Sequence, residues 1–191
     1  KKVFLKGDDL MSERKNIFWI LALILLIIAP IVILFTPIIV SLTLSDIRYK
    51  IVFIPLSASM VMYTLAFALV IVWLCFMYFS KSLLINSATG VVAITGFIFI
   101  FSLGVKNYVY LHQDYIVYNP LLGSKEEFKW EEVTSVKHEM YDEEENRDEK
   151  YIFEFNDGYK FEFLVSGLVD HTVQSKIYNK LIKLDIPYIE Y

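Results

Sequence analysis

IFWILALILLIIAPIVILFTPIIV, the stretch from Ile17 to Val40, is almost wholly Ile, Leu, Val, Phe and Ala and carries no charge. A helix needs about 20 such residues to cross roughly 30 Å of hydrocarbon, so this stretch predicts a membrane span. Its apolar core is too long for a cleavable leader, and no small-residue cleavage pattern follows it. Outward from it the pattern repeats. Of the 18 Lys and Arg and 22 Asp and Glu among the 191 residues, only Asp46, Arg48, Lys50 and Lys81 lie between Asn16 and Val105. A second uncharged run, Ile51 to Ser80, contains Pro55 and closes on Trp73, Phe76, Tyr78 and Phe79, aromatics suited to a membrane interface. A third, Ser82 to Val105, opens on Asn86, Ser87 and Thr89 and finishes as VVAITGFIFIFSLGV. Three apolar runs in succession exclude a single soluble domain, and the 16% aromatic content with few Gly and Pro excludes a disordered chain. The expected organisation is a polar segment over 1–15 and a transmembrane region over 16–105, with spans near 17–40, 55–80 and 83–105. A soluble domain follows over 106–191.

Two crossings or three decide the compartment of that domain. Arg14, Lys15 and Lys81 balance Arg48, Lys50 and Lys106 across the bilayer, while Lys1, Lys2 and Lys6 lean toward a cytoplasmic amino terminus, which puts the domain outside if all three runs cross and in the cytoplasm if two do. Cys75, the single cysteine, lies in the second run and can form no intrachain disulfide. No ionisable residue sits inside the runs, whereas pumps and intramembrane hydrolases keep such residues at membrane depth for their chemistry. Thr64, Asn86, Thr95 and Ser102 are the polar exceptions, and hydroxyls there are expected to bond their own helix backbone.

From Lys106 the pattern changes from continuous to alternating. Tyr108–Leu111, Tyr115–Tyr118, Glu127–Trp130 and Val133–Met140 read as strands, with a Pro120 and Gly123 turn between the second and third. The clearest local signal is YIFEFNDGYKFEF, Tyr151 to Phe163. A three-residue turn over Asn156–Gly158 with Gly158 left-handed pairs Tyr151 with Phe163, Phe153 with Phe161, Phe155 with Tyr159 and Glu154 with Lys160. That register makes one face a strip of six aromatic rings. Val169, Val173, Ile177, Leu181 and Leu184 form a helical apolar stripe to cover it, with Asp170 as cap, Pro187 as stop and Lys176, Lys180 and Lys183 in later turns.

The expected fold class is thus an α-helical membrane anchor of two or three transmembrane helices followed by a small α+β domain. The order of short strands, the piece Phe128-Lys-Trp-Glu-Glu-Val133, a hairpin closed by Asn156-Asp-Gly158 and a terminal helix behind hydrophobic spans resembles the pleckstrin-homology (PH)-like domains of small bacterial membrane proteins. The resemblance covers Tyr108 to Ile186. It implies a bent antiparallel sheet of about seven strands capped by one helix, of which six strands are legible. It further implies a cytoplasmic side for the domain and a binding or scaffold role with no common catalytic residues. Some proteins that look alike protect their host from secreted peptide toxins, so toxin immunity or envelope stress is one specific version of that role.

The residues themselves point away from catalysis. From Lys106 to Tyr191 there are 10 Lys and Arg against 18 Asp and Glu, which disfavours nucleic acid and anionic lipid headgroups as partners. The run Asp142–Glu145 with Asp148 and Glu149 lacks the spacing of a calcium loop and reads as a solvated connector. His112, His138 and His171 have no metal-site spacing and are expected at the surface, and no phosphate loop or nucleophile elbow occurs. No cofactor or metal is expected. Partners are expected to be the lipid bilayer and another protein or peptide, met through exposed rings at Trp130, Tyr141, Tyr159 and Tyr188. The rival readings are a regulatory or sensing subunit of a transport system, acting through Thr64, Asn86 and Thr95, and a hydrolase relying on His138 or His171.

Overall fold

A computed structural model describes residues 2–44, 48–80, 82–141 and 147–191, with side chains from residue 16 on except at Leu83. The acidic run Asp142–Glu145 and Lys81 lie outside the described residues. The chain divides into two compact units. One combines residues 1–37 with 60–104, and the other combines 38–59 with 105–191.

The first unit is helical. It contains most of α1 (Lys2–Leu44), α2 (Ser57–Phe79) and α3 (Leu83–Lys106). Three stretches, Asn16–Leu44, Ser57–Phe79 and Leu84–Lys106, are long and apolar enough to cross a membrane and fit a multi-pass membrane protein. Most large apolar side chains of α1 between Ile17 and Ile31 point outward, an arrangement that suits lipid and would aggregate in water. Helices α2 and α3 meet through rings and small residues. Tyr63 and Phe67 lie against Phe97 and Phe101, with centroids 4.9 to 6.4 Å apart. Gly90 and Gly96 admit Trp73 and Leu69 so closely that a Cβ would stand 2.9 and 2.7 Å from them.

The second unit holds a β domain that begins earlier in the chain than its alternation suggests. Residues Lys50–Pro55, expected within the transmembrane region 16–105, form a strand, β1, and the helix expected from 55 starts at Ser57. KIVFIP is buried through its middle on both faces, so it shows the same unbroken apolar run as a lipid-facing helix. Strand β1 pairs antiparallel with β2 (Tyr108–His112), with Pro55 opposite Tyr108 and Ile54 opposite Val109. Leu56 N–H donates to the Asn107 carbonyl at 3.2 Å, and the Ser59 hydroxyl donates to the same carbonyl at 2.6 Å. Helices α2 and α3 are therefore inserted where a hairpin turn would stand, and both of their outer ends return to one β domain.

Among the described residues the strands form two four-stranded sheets. The first runs β1-β2-β3-β4, with β3 at Tyr115–Asn119 and β4 at Glu126–Lys129. The second runs β7-β6-β5-β8, with β5 at Val133–Glu139, β6 at Lys150–Phe155, β7 at Lys160–Leu164 and β8 at Tyr188–Glu190. The β6–β7 hairpin has the register anticipated from its rings: Tyr151 faces Phe163, Phe153 faces Phe161 and Glu154 faces Lys160, with Gly158 at φ 83°. Helix α4 (His171–Lys183) is capped by the Asp170 carboxylate, which accepts the Val173 N–H at 2.9 Å. Beyond it the chain passes through Asp185 at φ 55° and, after Pro187, runs parallel to β5 as β8 instead of ending.

One core joins all of these elements. Val109, Leu111 and Ile116 of the first sheet meet Val136, Phe153 and Phe163 of the second, and Ile177 and Leu181 of α4 close it. Ring pairs bridge the sheets, Phe128 on Phe155 at 4.0 Å and Tyr118 on Phe161 at 4.8 Å. The opposite face of the first sheet packs Phe53, Tyr110 and Val117 under Val40 of α1. On the outer face of the second sheet Glu154 accepts from Lys137 at 2.7 Å, Lys160 at 2.9 Å and Ser135 at 2.9 Å. Those donors hold its carboxyl down to about 2.

Two predictions follow from this architecture. Joining Leu56 to Asn107 through a two-residue Asn-Gly turn, with 57–106 removed, should give a chain that still folds its β domain. A fragment starting at Lys106 lacks β1 and should be protease-sensitive and aggregate; limited proteolysis of the two side by side checks this. The second concerns acid stability. Because the folded carboxyl of Glu154 is depressed from 4.5 to about 2, its contribution is complete above the unfolded value and is lost as pH falls from 4.5 through 2. Thermal unfolding of the detergent-solubilised chain across that window should fall more steeply for the wild type than for Glu154→Gln.

Candidate functional site

The period-two alternation of β5 puts His138 in phase with Val136, so both point toward the interior and His138 is only 3% exposed. That corrects its expected place at the surface, as burial also does for His112. The His138 ring stacks on Tyr151 of the neighbouring strand, centroids 4.2 Å apart and planes 7° from parallel. Its Nε2 lies 2.7 Å from Glu149 Oε1 and its Nδ1 lies 2.8 Å from the Tyr188 hydroxyl. Glu190 approaches Nδ1 at 3.5 Å. Tyr151 in turn hydrogen-bonds to Tyr188, and burial, the largest cause, pushes both phenols above their usual range.

These contacts have one consistent direction for a neutral ring. The Tyr151 hydroxyl donates to Tyr188, Tyr188 donates to His138 Nδ1, and Nε2–H donates to the Glu149 carboxylate. Every polar atom of the buried ring is thereby satisfied. Glu149, expected as part of a solvated connector, is instead the anchor of this chain.

Above the network lies a cleft of about 450 Å³, bounded by His138, Tyr151, Tyr188 and Glu190 on one side and by Gln174, Ser175 and Tyr178 of α4 on the other. Tyr178 and Tyr188 meet edge to face at 5.3 Å and form its aromatic wall. Around it Tyr178, Ile189 and Tyr191 are exposed, as are Met140 and Tyr141 at the end of β5, where Met140 N–H donates to the Tyr191 carbonyl. Strand β8 is the edge of its sheet.

The four rings expected at a contact surface are separated by the fold. Tyr188 lines the cleft, and Tyr141 is 61% exposed just beyond the end of β5. Tyr159 lies at the far end of β6, half-buried against Phe128 and Tyr118. Trp130 offers nothing to a partner: it is completely buried in the core, and its Nε1–H donates to the His112 carbonyl at 2.8 Å. A Trp ahead of an acidic pair looks like a surface turn, but here Trp130 opens a short 3-10 segment (Trp130–Glu132) that rolls its ring under α4.

Two hydroxyls of the helical unit behave as anticipated. Thr64 donates to the Met60 carbonyl at 2.9 Å and Ser102 to the Ile98 carbonyl at 2.6 Å. Asn86 is buried, and its Oδ1 accepts no hydrogen bond. His171 is exposed at the start of α4.

No family model matches this chain, and no curated protein does. Both ring nitrogens of His138 are engaged within the domain, and among the described residues no hydrogen bond links Ser175 to His138. Glu190, 54% exposed, remains the carboxylate that a ligand can reach.

Replacing His138 by Ala should remove the centre of the chain and leave Glu149 and Tyr188 without their partner, at about 1–3 kcal/mol per orphaned group. Tyr188→Phe, which deletes one hydroxyl, should cost less. Thermal unfolding of the full chain in detergent checks the order, wild type above Tyr188→Phe above His138→Ala.

Proposed function

We propose that this chain is a membrane-held binding protein, without catalysis, in which a PH-like β domain receives a segment of another protein or peptide beside the bilayer. The observation that carries the reading is the pre-formed cleft beside an open edge strand. A partner strand can lie along β8, with its backbone paired to the sheet edge, and drop one side chain between Tyr178 and Tyr188 toward Glu190. The carboxylate at that point and the acidic surplus of the tail favour a basic side chain.

The PH-like character is supported by the arrangement itself, a four-stranded sheet and three antiparallel strands β5–β7 sharing a core closed by a terminal helix. Placing β1 in that sheet supplies the strand that alternation over 106–191 lacked. On this reading β1 and the C-terminal domain, which share one sheet, lie on one side of the membrane. Protection against a secreted peptide toxin is one form that such binding takes, since a cationic peptide meeting the membrane has both the charge and the location that the cleft suits.

Ser175 is exposed on α4, so Ser175→Trp should leave the domain folded while filling the cleft. Cells carrying it should behave as a deletion strain under peptide challenge or envelope stress, whereas Lys160→Trp, on β7, should behave as wild type. A Ser175→Trp strain identical to wild type, in conditions where the deletion differs, removes the cleft from the function.

A further inference from the structure

The lysines of α4 look like a solvated face in the linear sequence, but the fold brings them against residues that precede them by more than a hundred positions. Lys176, Lys180 and Lys183, spaced four and three apart, lie on one side of α4. Arg48 and Lys50 come from the turn and strand that follow α1. Together these five bound a cleft of about 460 Å³, with the amides of Gln113 and Asn179 on its wall and, among the described residues, no carboxylate in the lining. The four lysines among these five repel each other unless a counter-charge is present, so the arrangement costs stability when empty.

Local neutralisation does not relieve that cost. None of the ion pairs among the described residues involves Lys176, Lys180 or Lys183. The domain has an acidic surplus to draw on, yet its carboxylates pair elsewhere, Glu154 with Lys137 and Lys160, and Glu162 with Lys150. Lys180 is held over the Trp130 ring at 5.8 Å, which positions its ammonium without cancelling its charge. The cleft is also anchored at a defined level: Lys50 Nζ donates to Ser41 Oγ at 2.8 Å, and Ser41 belongs to the last turn of the apolar stretch Asn16–Leu44. One wall thus stands where a span ends, which is the depth of lipid phosphates.

We infer that the cleft between α4 and the start of β1 is a binding site for a phosphate-bearing anion. The lysines supply mobile ammonium donors, and Asn179 and Gln113 supply neutral donors. The phosphate comes from a lipid headgroup or from a soluble phosphate, and the two sources make the same contacts. The site is separate from the cleft at His138 and does not depend on that cleft's partner. Net charge argues against such a ligand only when averaged over the domain, because a short-range interaction reads the charge within a Debye length of about 8–10 Å.

The test uses the full chain in detergent, with fluorescent phosphatidylglycerol as one probe and inorganic phosphate as the other. Lys176 and Lys183 are exposed, so Lys176→Gln/Lys183→Gln should keep the thermal unfolding profile, and Lys176→Arg/Lys183→Arg serves as the charge-preserving control. Wild type should retain the labelled lipid over labelled phosphatidylcholine, the Gln pair should bind it about tenfold or more weakly, and the Arg pair should recover it. Lipid retention that inorganic phosphate fails to displace assigns the site to a headgroup. Calorimetric binding of inorganic phosphate that displaces the lipid, and that the Gln pair loses, assigns it to a soluble phosphate. Equal retention of both probes by wild type and the Gln pair, or binding of neither by wild type, overturns the inference.

Discussion

The pairing of β1 with β2 is the constraint on which the rest depends. Backbone hydrogen bonds between Lys50–Pro55 and Tyr108–His112 join residues separated by two apolar helices, so the sheet is complete only when the two ends of that insertion meet. Loop-closure entropy grows only slowly with the length enclosed, and α2 and α3 reduce it further by returning to the point they left. The pairing buries Ile54, Val52 and Ile51 in the shared core and leaves no unpaired edge on β2.

The β domain sorts its charge. Glu154 sits among Lys137, Lys160 and Ser135, and Lys150 bridges Glu139 and Glu162, so the outer face of the second sheet is internally neutral. Exposed pairs of this kind add little stability each. Their larger effect is to leave the remaining charges where they are not cancelled, with Glu190 at the open edge and the α4 lysines at the other cleft. The net charge of the domain hides this division.

How much of this was legible depended on whether the relevant signal was local. Tyr151–Phe163 declared its register because the alternation, the Asn156-Asp157-Gly158 turn and the Glu154–Lys160 pair all required the same pairing. The α4 stripe and its Asp170 cap were legible for the same reason. Strand β1 was not, because a strand buried on both faces and a lipid-facing helix share one composition, and its partner lies on the far side of two helices. Strand β8 follows a proline and pairs in parallel over three residues, too short for a pattern. The burial of His138 was available in its phase with Val136, but the three histidines were judged by metal spacing instead of by strand phase. Trp130 misled because its sequence neighbours are acidic, whereas its ring belongs to the core.

Helix α4 shows how one short element serves two surfaces of opposite character. Its stripe of Val173, Ile177 and Leu181 is spent on the core, which fixes the rotation of the helix and therefore the direction of every other side chain on it. With 3.6 residues per turn, Gln174, Ser175 and Tyr178 then fall toward β8, and Lys176, Asn179, Lys180 and Lys183 fall toward β1. Rotating the helix by one residue would bury a lysine and expose Ile177, so neither surface can be altered without losing the core. The two clefts are thus set by a single packing decision, and each inherits its chemistry from the residues that the opposite sheet edge brings to meet it.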